Sequence, residues 1–220
     1  MSDVERLRSR GEALGLQLSE LQLEQLLAFG KLILRWNKVY NLTALRDTDS
    51  VLSHHLLDSL AAMPPLARQF ASAGDLLDVG SGAGLPGVVI AIMRRDLNVT
   101  CLDAVAKKVA FVQQVAAELR LENLRAVHER VEAHRGQYAV ISSRAFASLA
   151  DFFDGSRHLL SSEGCWMALK GKVPTDELSG LGSGIDVFHV EQLDVPGLDA
   201  ARCIVWARKQ EGECGAEPLA

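Results

Sequence analysis

From Leu18 to Trp36 the chain reads LSELQLEQLLAFGKLILRW, in which Leu23, Leu26, Leu27, Gly30 and Leu34 recur at the spacing of one helix face. Ser19 followed by Gln22 fits a capping box, each side chain reaching a free backbone N–H at the helix start. A shorter helix is expected over DSVLSHHLLDSLAAM, stopped before Pro64-Pro65, with the loop YNLTALRD between the two. From Leu76 onward the period changes. Short apolar runs rich in β-formers appear at LLDV, VTCLD, RAVH, YAVIS, CWMALK, DVFHV and CIVWAR. Helices fit Pro86 to Met93, Ala106 to Leu119 and Ser148 to Leu160, and Val112, Val115, Ala116 and Leu119 make a core-facing stripe in the second.

Strands alternating with helices imply a mostly parallel, doubly wound α/β sheet. The last two strands have only EQLDVPGLDA between them, which marks a closing hairpin and hence one antiparallel strand. The expected organisation is a helical extension over residues 1–70, a sheet domain over 71–210 and a flexible tail over 211–220.

Composition adds little to this and excludes more. At 220 residues, 48% hydrophobic and 23% charged, the chain suits one soluble α/β domain with a small extension. It shows no apolar run long enough for a membrane span and no secretion signal, so a cytoplasmic protein without membrane contact is expected, as a monomer. Cys101, Cys165, Cys203 and Cys214 are scattered without a C-x-x-C and read as free thiols. The histidines show no ligand spacing, so no metal is expected. The net charge of −5 argues against indiscriminate capture of naked nucleic acid.

The chemistry centres on LLDVGSGAGLPG (76–87). From Gly80 the loop reads G-x-G-x-G, which suits a methyl-donor pocket; from Gly82 it reads G-x-G-x-x-G, the dinucleotide pattern. Either ligand needs glycines that permit positive φ, and an acid about 20 residues on for ribose hydroxyls, which Asp103 supplies. Three features favour S-adenosylmethionine. Asp78 would point a carboxylate into the pocket, suiting a sulfonium and repelling a pyrophosphate. Glu132 adds an acid after the third strand, and no second nucleotide-binding half follows.

The motifs NLTA (41–44), HLLDSL (55–60), DVGSGAGLPG (78–87), LDAVAKK (102–108), SRAFASL (143–149) and LKGK (169–172), in that order, resemble the bacterial RsmG family, also called glucose-inhibited division protein B. The resemblance runs from about Leu21 to Lys172. It implies a Rossmann-like class I methyltransferase that uses S-adenosylmethionine to methylate N7 of a guanine in 16S ribosomal RNA of the small subunit. It also implies a donor pocket on Gly80, Leu85, Val131, Glu132 and Arg144, while Gly82, Gly84 and Asp103 fit the general methyltransferase pattern. The chain departs from many relatives at Ala104 and Val105, and its connection from Glu132 to Tyr138 is short.

Guanine N7 carries a free lone pair at neutral pH, so no general base is required and no catalytic residue is assigned. Phosphate anchors are needed, and Lys107, Lys108, Arg144, Lys170 and Lys172 qualify, with Arg35 and Lys38 from the extension. Asn41 is read as a turn or cap residue with a possible substrate contact. His55 and Asp58, three apart on one helix face, are expected to hydrogen-bond each other or to line the substrate mouth. The three tryptophans read as core residues. On these residues alone, a methyltransferase for small molecules or proteins, and a donor-binding module without turnover, stay open.

Overall fold

The computed structural model describes residues 2–144, 146 and 148–210; the expected flexible tail and Cys214 lie outside them. Helix α1 (Asp3–Ala13) and helix α2 (Glu20–Tyr40) each begin in a capping box, Ser2 with Glu5 and Ser19 with Gln22. In α2 the buried stripe is Leu23, Leu26, Phe29, Gly30 and Ile33, so Leu27 and Leu34 of the expected face lie at its edge. Helix α3 (Thr48–Val51) runs into a π-helical turn, Leu52–Leu57, and then into α4 (Asp58–Leu60). Pro64 and Pro65 do not end helical structure here. They open a new helix, α5 (Met63–Gln69), whose first turn has no need of their missing N–H groups.

Seven strands follow: β1 (Gly74–Val79), β2 (Leu97–Asp103), β3 (Leu124–His128), β4 (Tyr138–Arg144), β5 (Leu160–Lys170), β6 (Ile185–Leu193) and β7 (Arg202–Lys209). Helices α6 (Gly87–Met93), α7 (Ala106–Glu118) and α8 (Leu149–Ser156) make crossovers, and a short α9 (Thr175–Ser179) precedes β6. The sheet order is β3-β2-β1-β4-β5-β7-β6. Strands β1 to β5 pair in parallel, and β7 is inserted antiparallel between β5 and β6. This is the expected seven-stranded sheet with one antiparallel strand. Strand β5 starts five residues before CWMALK, because Leu160 pairs with Tyr138 across a register shift. The helix expected to run to Leu160 ends at Ser156, with one 3-10 turn after it.

The strand order reverses at β1, whose neighbours are β2 and β4, so loops leaving these carboxyl ends diverge and open a crevice. The helical extension is not a separate layer. Leu26, Phe29, Ile33, Leu56 and Leu60 share one apolar core with Val88 to Ile92 of α6 and Phe111 and Val112 of α7. That packing holds the loop after α2 against the same carboxyl edge. No helix among the described residues is long and apolar enough to cross a membrane.

Candidate active site

The glycine loop after β1 is built from backbone hydrogen bonds to the neighbouring strand. Gly80 N and Ser81 N both donate to the Leu102 carbonyl, at 2.8 and 3.1 Å, and Gly82 N donates to Asp103 Oδ2 at 2.9 Å. Gly80, Gly82 and Gly84 have φ of 66°, 58° and 78°, which glycine alone adopts without strain. Their roles diverge beyond that. A Cβ on Gly80 would meet only Phe146 within 4 Å, at 3.8 Å, so this backbone is open to a ligand. A Cβ on Gly84 would stand 2.5 Å from Val88 Cγ2 and 3.2 Å from Val112 Cγ2, so Gly84 serves packing of α6 and α7 under the loop. Leu85 is likewise buried in that core.

The cleft in front of the loop has a volume of about 160 Å³ and is lined by Val79, Gly80, Leu102, Asp103, Val131 and Phe146, with Glu129 and Glu132 at its rim. Asp103 is buried, with Oδ2 on Gly82 N and Oδ1 on Val105 N at 2.9 Å, and Lys108 Nζ is 3.7 Å from Oδ2. Two amides leave lone pairs on a carboxylate that has about four acceptor positions, so Asp103 retains capacity for ribose hydroxyls. The segment carrying Val131 and Glu132 is fixed from behind by His134, which bridges Glu129 Oε2 (2.7 Å) and the Tyr138 hydroxyl (2.8 Å). Nothing in the sequence pattern marked Glu129 or His134, and Phe146 entered only as part of the SRAFASL motif. These residues fit an adenosine-bearing methyl donor. The Asp103 carboxylate offers acceptors, apolar surface from Leu102, Val131 and Phe146 lines the same cleft, and a bare glycine backbone adjoins both.

Besides Gly84 and Leu85, which pack beneath the loop, two further expected donor-pocket residues are placed elsewhere. The Asp78 carboxylate does not enter the cleft. It is fully buried behind the loop, where Oδ2 accepts from Gly87 N and Oδ1 from Ser142 Oγ, each at 3.0 Å. Burial pushes its pKa up to about 7, against the pull of those two hydrogen bonds. Asp78 therefore anchors the start of α6 and ties β1 to β4, with no surface exposed to the cleft. Arg144 turns its guanidinium the other way, donating from Nη1 to the His54 carbonyl (3.2 Å) and to Asp58 Oδ2 (3.1 Å).

Arg144 belongs to a second cleft on the same carboxyl edge, of about 320 Å³, lined by His54, His55, Asp58, Arg144, Lys170 and Arg202. Asp58 is its hub: Arg202 Nε donates to Oδ1 at 2.6 Å while Arg144 holds Oδ2. The expected His55–Asp58 hydrogen bond is absent. The π-helical turn winds the chain more loosely than an α-helix, and the two arginines take the carboxylate. His55 Nε2 instead lies 2.9 Å from Thr43 Oγ1. Burial first, and then the neighbouring Arg144 charge, lower the His55 pKa to about 4, so the ring is neutral. Arg202 escaped the sequence reading, since a lone Arg at a strand start carries no local signal.

The remaining candidate cations differ in freedom. Lys170 Nζ is held by Glu177 at 2.9 Å and Arg35 pairs with Glu118 at 2.9 Å, whereas Lys38, Lys107 and Lys172 are exposed. Asn41 caps α2 in the left-handed conformation, φ 48°, and accepts from Arg46 at 3.2 Å.

A doubly wound sheet with a glycine loop after β1, an acid at the end of β2 and a β6–β7 hairpin defines a Rossmann-like methyltransferase. A solved S-adenosylmethionine-dependent methyltransferase from Aquifex aeolicus has this fold, with a TM-score of 0.55 at 17% identity over 72% of this chain and 92% of that one. The family described as rRNA small subunit methyltransferase G matches residues 22–205, and the chain belongs to that family. It is 56% identical to "Ribosomal RNA small subunit methyltransferase G" of Paracidovorax citrulli, over 96% of this chain and 92% of that protein. It is 58% identical to the protein of the same name from Polaromonas naphthalenivorans, over 90% and 91%.

Proposed function

We propose that this protein transfers a methyl group from S-adenosylmethionine to N7 of a guanine in 16S ribosomal RNA of the small subunit, acting as a cytoplasmic monomer. The observation behind it is the pairing of two clefts on one sheet edge: one at the glycine loop, where Asp103 faces the open Gly80 backbone, and a basic one at Arg144 and Arg202. Family membership supports the RNA substrate.

When bound, the donor supplies an electrophilic methyl on a sulfonium. Of the residues lining the cleft, Asp103 would hold the ribose, the Gly80 backbone would approach the amino-acid end, and Val131 and Phe146 would border the base. The second cleft has the donors to hold a phosphate beside the target: Asp58 leaves Arg144 and Arg202 with guanidinium N–H groups beyond those it engages. No side chain has to remove a proton, because N7 attacks with its own lone pair. The protein's contribution is alignment of N7 with the methyl carbon and sulfur, which supplies rate by proximity.

The test is transfer of labelled methyl to small subunits and to deproteinised 16S RNA from a strain lacking the modification. Label is expected at one guanine, with naked RNA the poorer substrate because the chain's charge of −5 makes non-specific capture weak. Equal rates on both would remove the charge argument. Label only on small molecules or protein would overturn the substrate, and donor binding without transfer would leave a non-catalytic module.

A further inference from the structure

Helix α2 ends in a surface that neither cleft uses. Its last turn leaves Val39 70% and Tyr40 43% exposed, next to the exposed Lys38. The Tyr40 ring is nevertheless held. Its centroid lies 4.9 Å from that of Trp36, Trp36 meets Phe111 edge-on at 5.4 Å, and Phe111 stacks on Phe29 at 6.3 Å. Trp36 Nε1 also donates to Gln114 Oε1 at 3.1 Å. A row of four rings thus runs out of the core and finishes in one half-open ring.

The loop that follows runs from this ring to the rim of the basic cleft. Asn41 reverses the chain, and the buried Asn37 fixes the loop by donating to the Leu45 carbonyl at 2.7 Å and accepting from Thr43 N at 2.9 Å. Thr43 Oγ1 then meets His55, which lines the basic cleft beside Arg144. The loop carries charges of both signs. Arg46 is exposed and steadied by Asn41, while Asp47 caps Ser50 N at 2.8 Å and Asp49 is engaged by Arg6.

We propose that Tyr40 is a stacking platform for an unpaired base of the RNA substrate near the target guanine, with Lys38 and Arg46 gripping the adjoining phosphates. The proposal rests on the RNA reading above. Bases of single-stranded RNA stack on aromatic faces, and a ring already immobilised by its neighbours gives up little freedom in doing so. A cation beside such a ring, as Arg46 stands on Asn41, complements the backbone that a stacked base brings with it.

The experiment measures KM and kcat for small subunits and for deproteinised 16S RNA with wild type, Tyr40→Phe, Tyr40→Leu and Lys38→Ala. Tyr40→Leu is expected to raise KM on both substrates about tenfold, with kcat and calorimetric donor affinity unchanged. Tyr40→Phe, which keeps the ring, should behave as wild type. Lys38→Ala should lower the salt slope of RNA binding by about one. Tyr40→Leu acting like wild type overturns the platform. A KM effect on small subunits that vanishes on naked RNA also overturns it, assigning the patch to a ribosomal protein. Wild type that methylates neither substrate overturns the RNA reading itself, and the platform with it.

Discussion

Asp103→Ala is expected to weaken S-adenosylmethionine binding tenfold or more and to abolish most methyl transfer at limiting donor. The residue has two jobs that the substitution removes together. Its carboxylate is the acceptor placed for the ribose, where a charge-assisted hydrogen bond is worth about 1.5–3 kcal/mol, equivalent to roughly tenfold or more in affinity. It also tethers the loop, because Gly82 N and Val105 N converge on its two oxygens. Asp103→Asn should also fail, since an amide offers one acceptor where two N–H groups now meet. Calorimetric titration with the donor, alongside a thermal melt showing a folded variant, reads the effect. Unchanged affinity in either variant would remove Asp103 from the site.

Asp78→Asn is expected to change how stability depends on pH, an effect on the order of 4 kcal/mol at full extent. The folded-state pKa of Asp78 is raised from 3.8 to about 7 by complete burial. Between those values the folded protein keeps a proton that the unfolded chain has released. Stability contributed by the neutral form is therefore full below about pH 4 and declines as pH rises toward 7. His55 works in the opposite sense: its pKa is lowered from 6.5 to about 4, so its contribution is lost as pH falls through that window. The difference between wild type and Asp78→Asn cancels the His55 contribution. Asparagine can still accept from Gly87 N and can donate to Ser142 Oγ once that hydroxyl rotates, so it replaces the neutral acid at every pH. Denaturant unfolding at pH 4 to 8 should show the variant gaining on wild type as pH rises. A flat difference would mean that Asp78 ionises normally in the folded protein.

The contrast between these two aspartates marks what the sequence discloses. Asp103 was legible because its neighbours in sequence dictate its direction. It closes a strand, precedes a turn, and stands the right distance after the glycines. Asp78 was not. Strand β1 is buried on both faces from Leu76 to Val79, so alternation cannot say which side a side chain takes, and its partner Ser142 is 64 residues away. Arg144 was misdirected for the same reason. The carboxylate that captures it lies 86 residues earlier, on a stretch whose π-helical turn has no local signature. The sheet itself could be read almost whole, since β-rich runs spaced by helices leave few topologies. The first half of β5 escaped because Leu160–Gly164 is polar in the middle and is recruited by pairing with β4.

Which cleft holds the donor decides how the protein aligns its two substrates. A crystal structure of the protein with S-adenosylhomocysteine answers this directly. The ribose hydroxyls are expected within hydrogen-bond distance of Asp103, with the amino-acid end over Gly80 and the adenine against Val131. A nucleoside bound instead between Arg144 and Arg202, or no binding while a nicotinamide dinucleotide occupies the glycine loop, would contradict it.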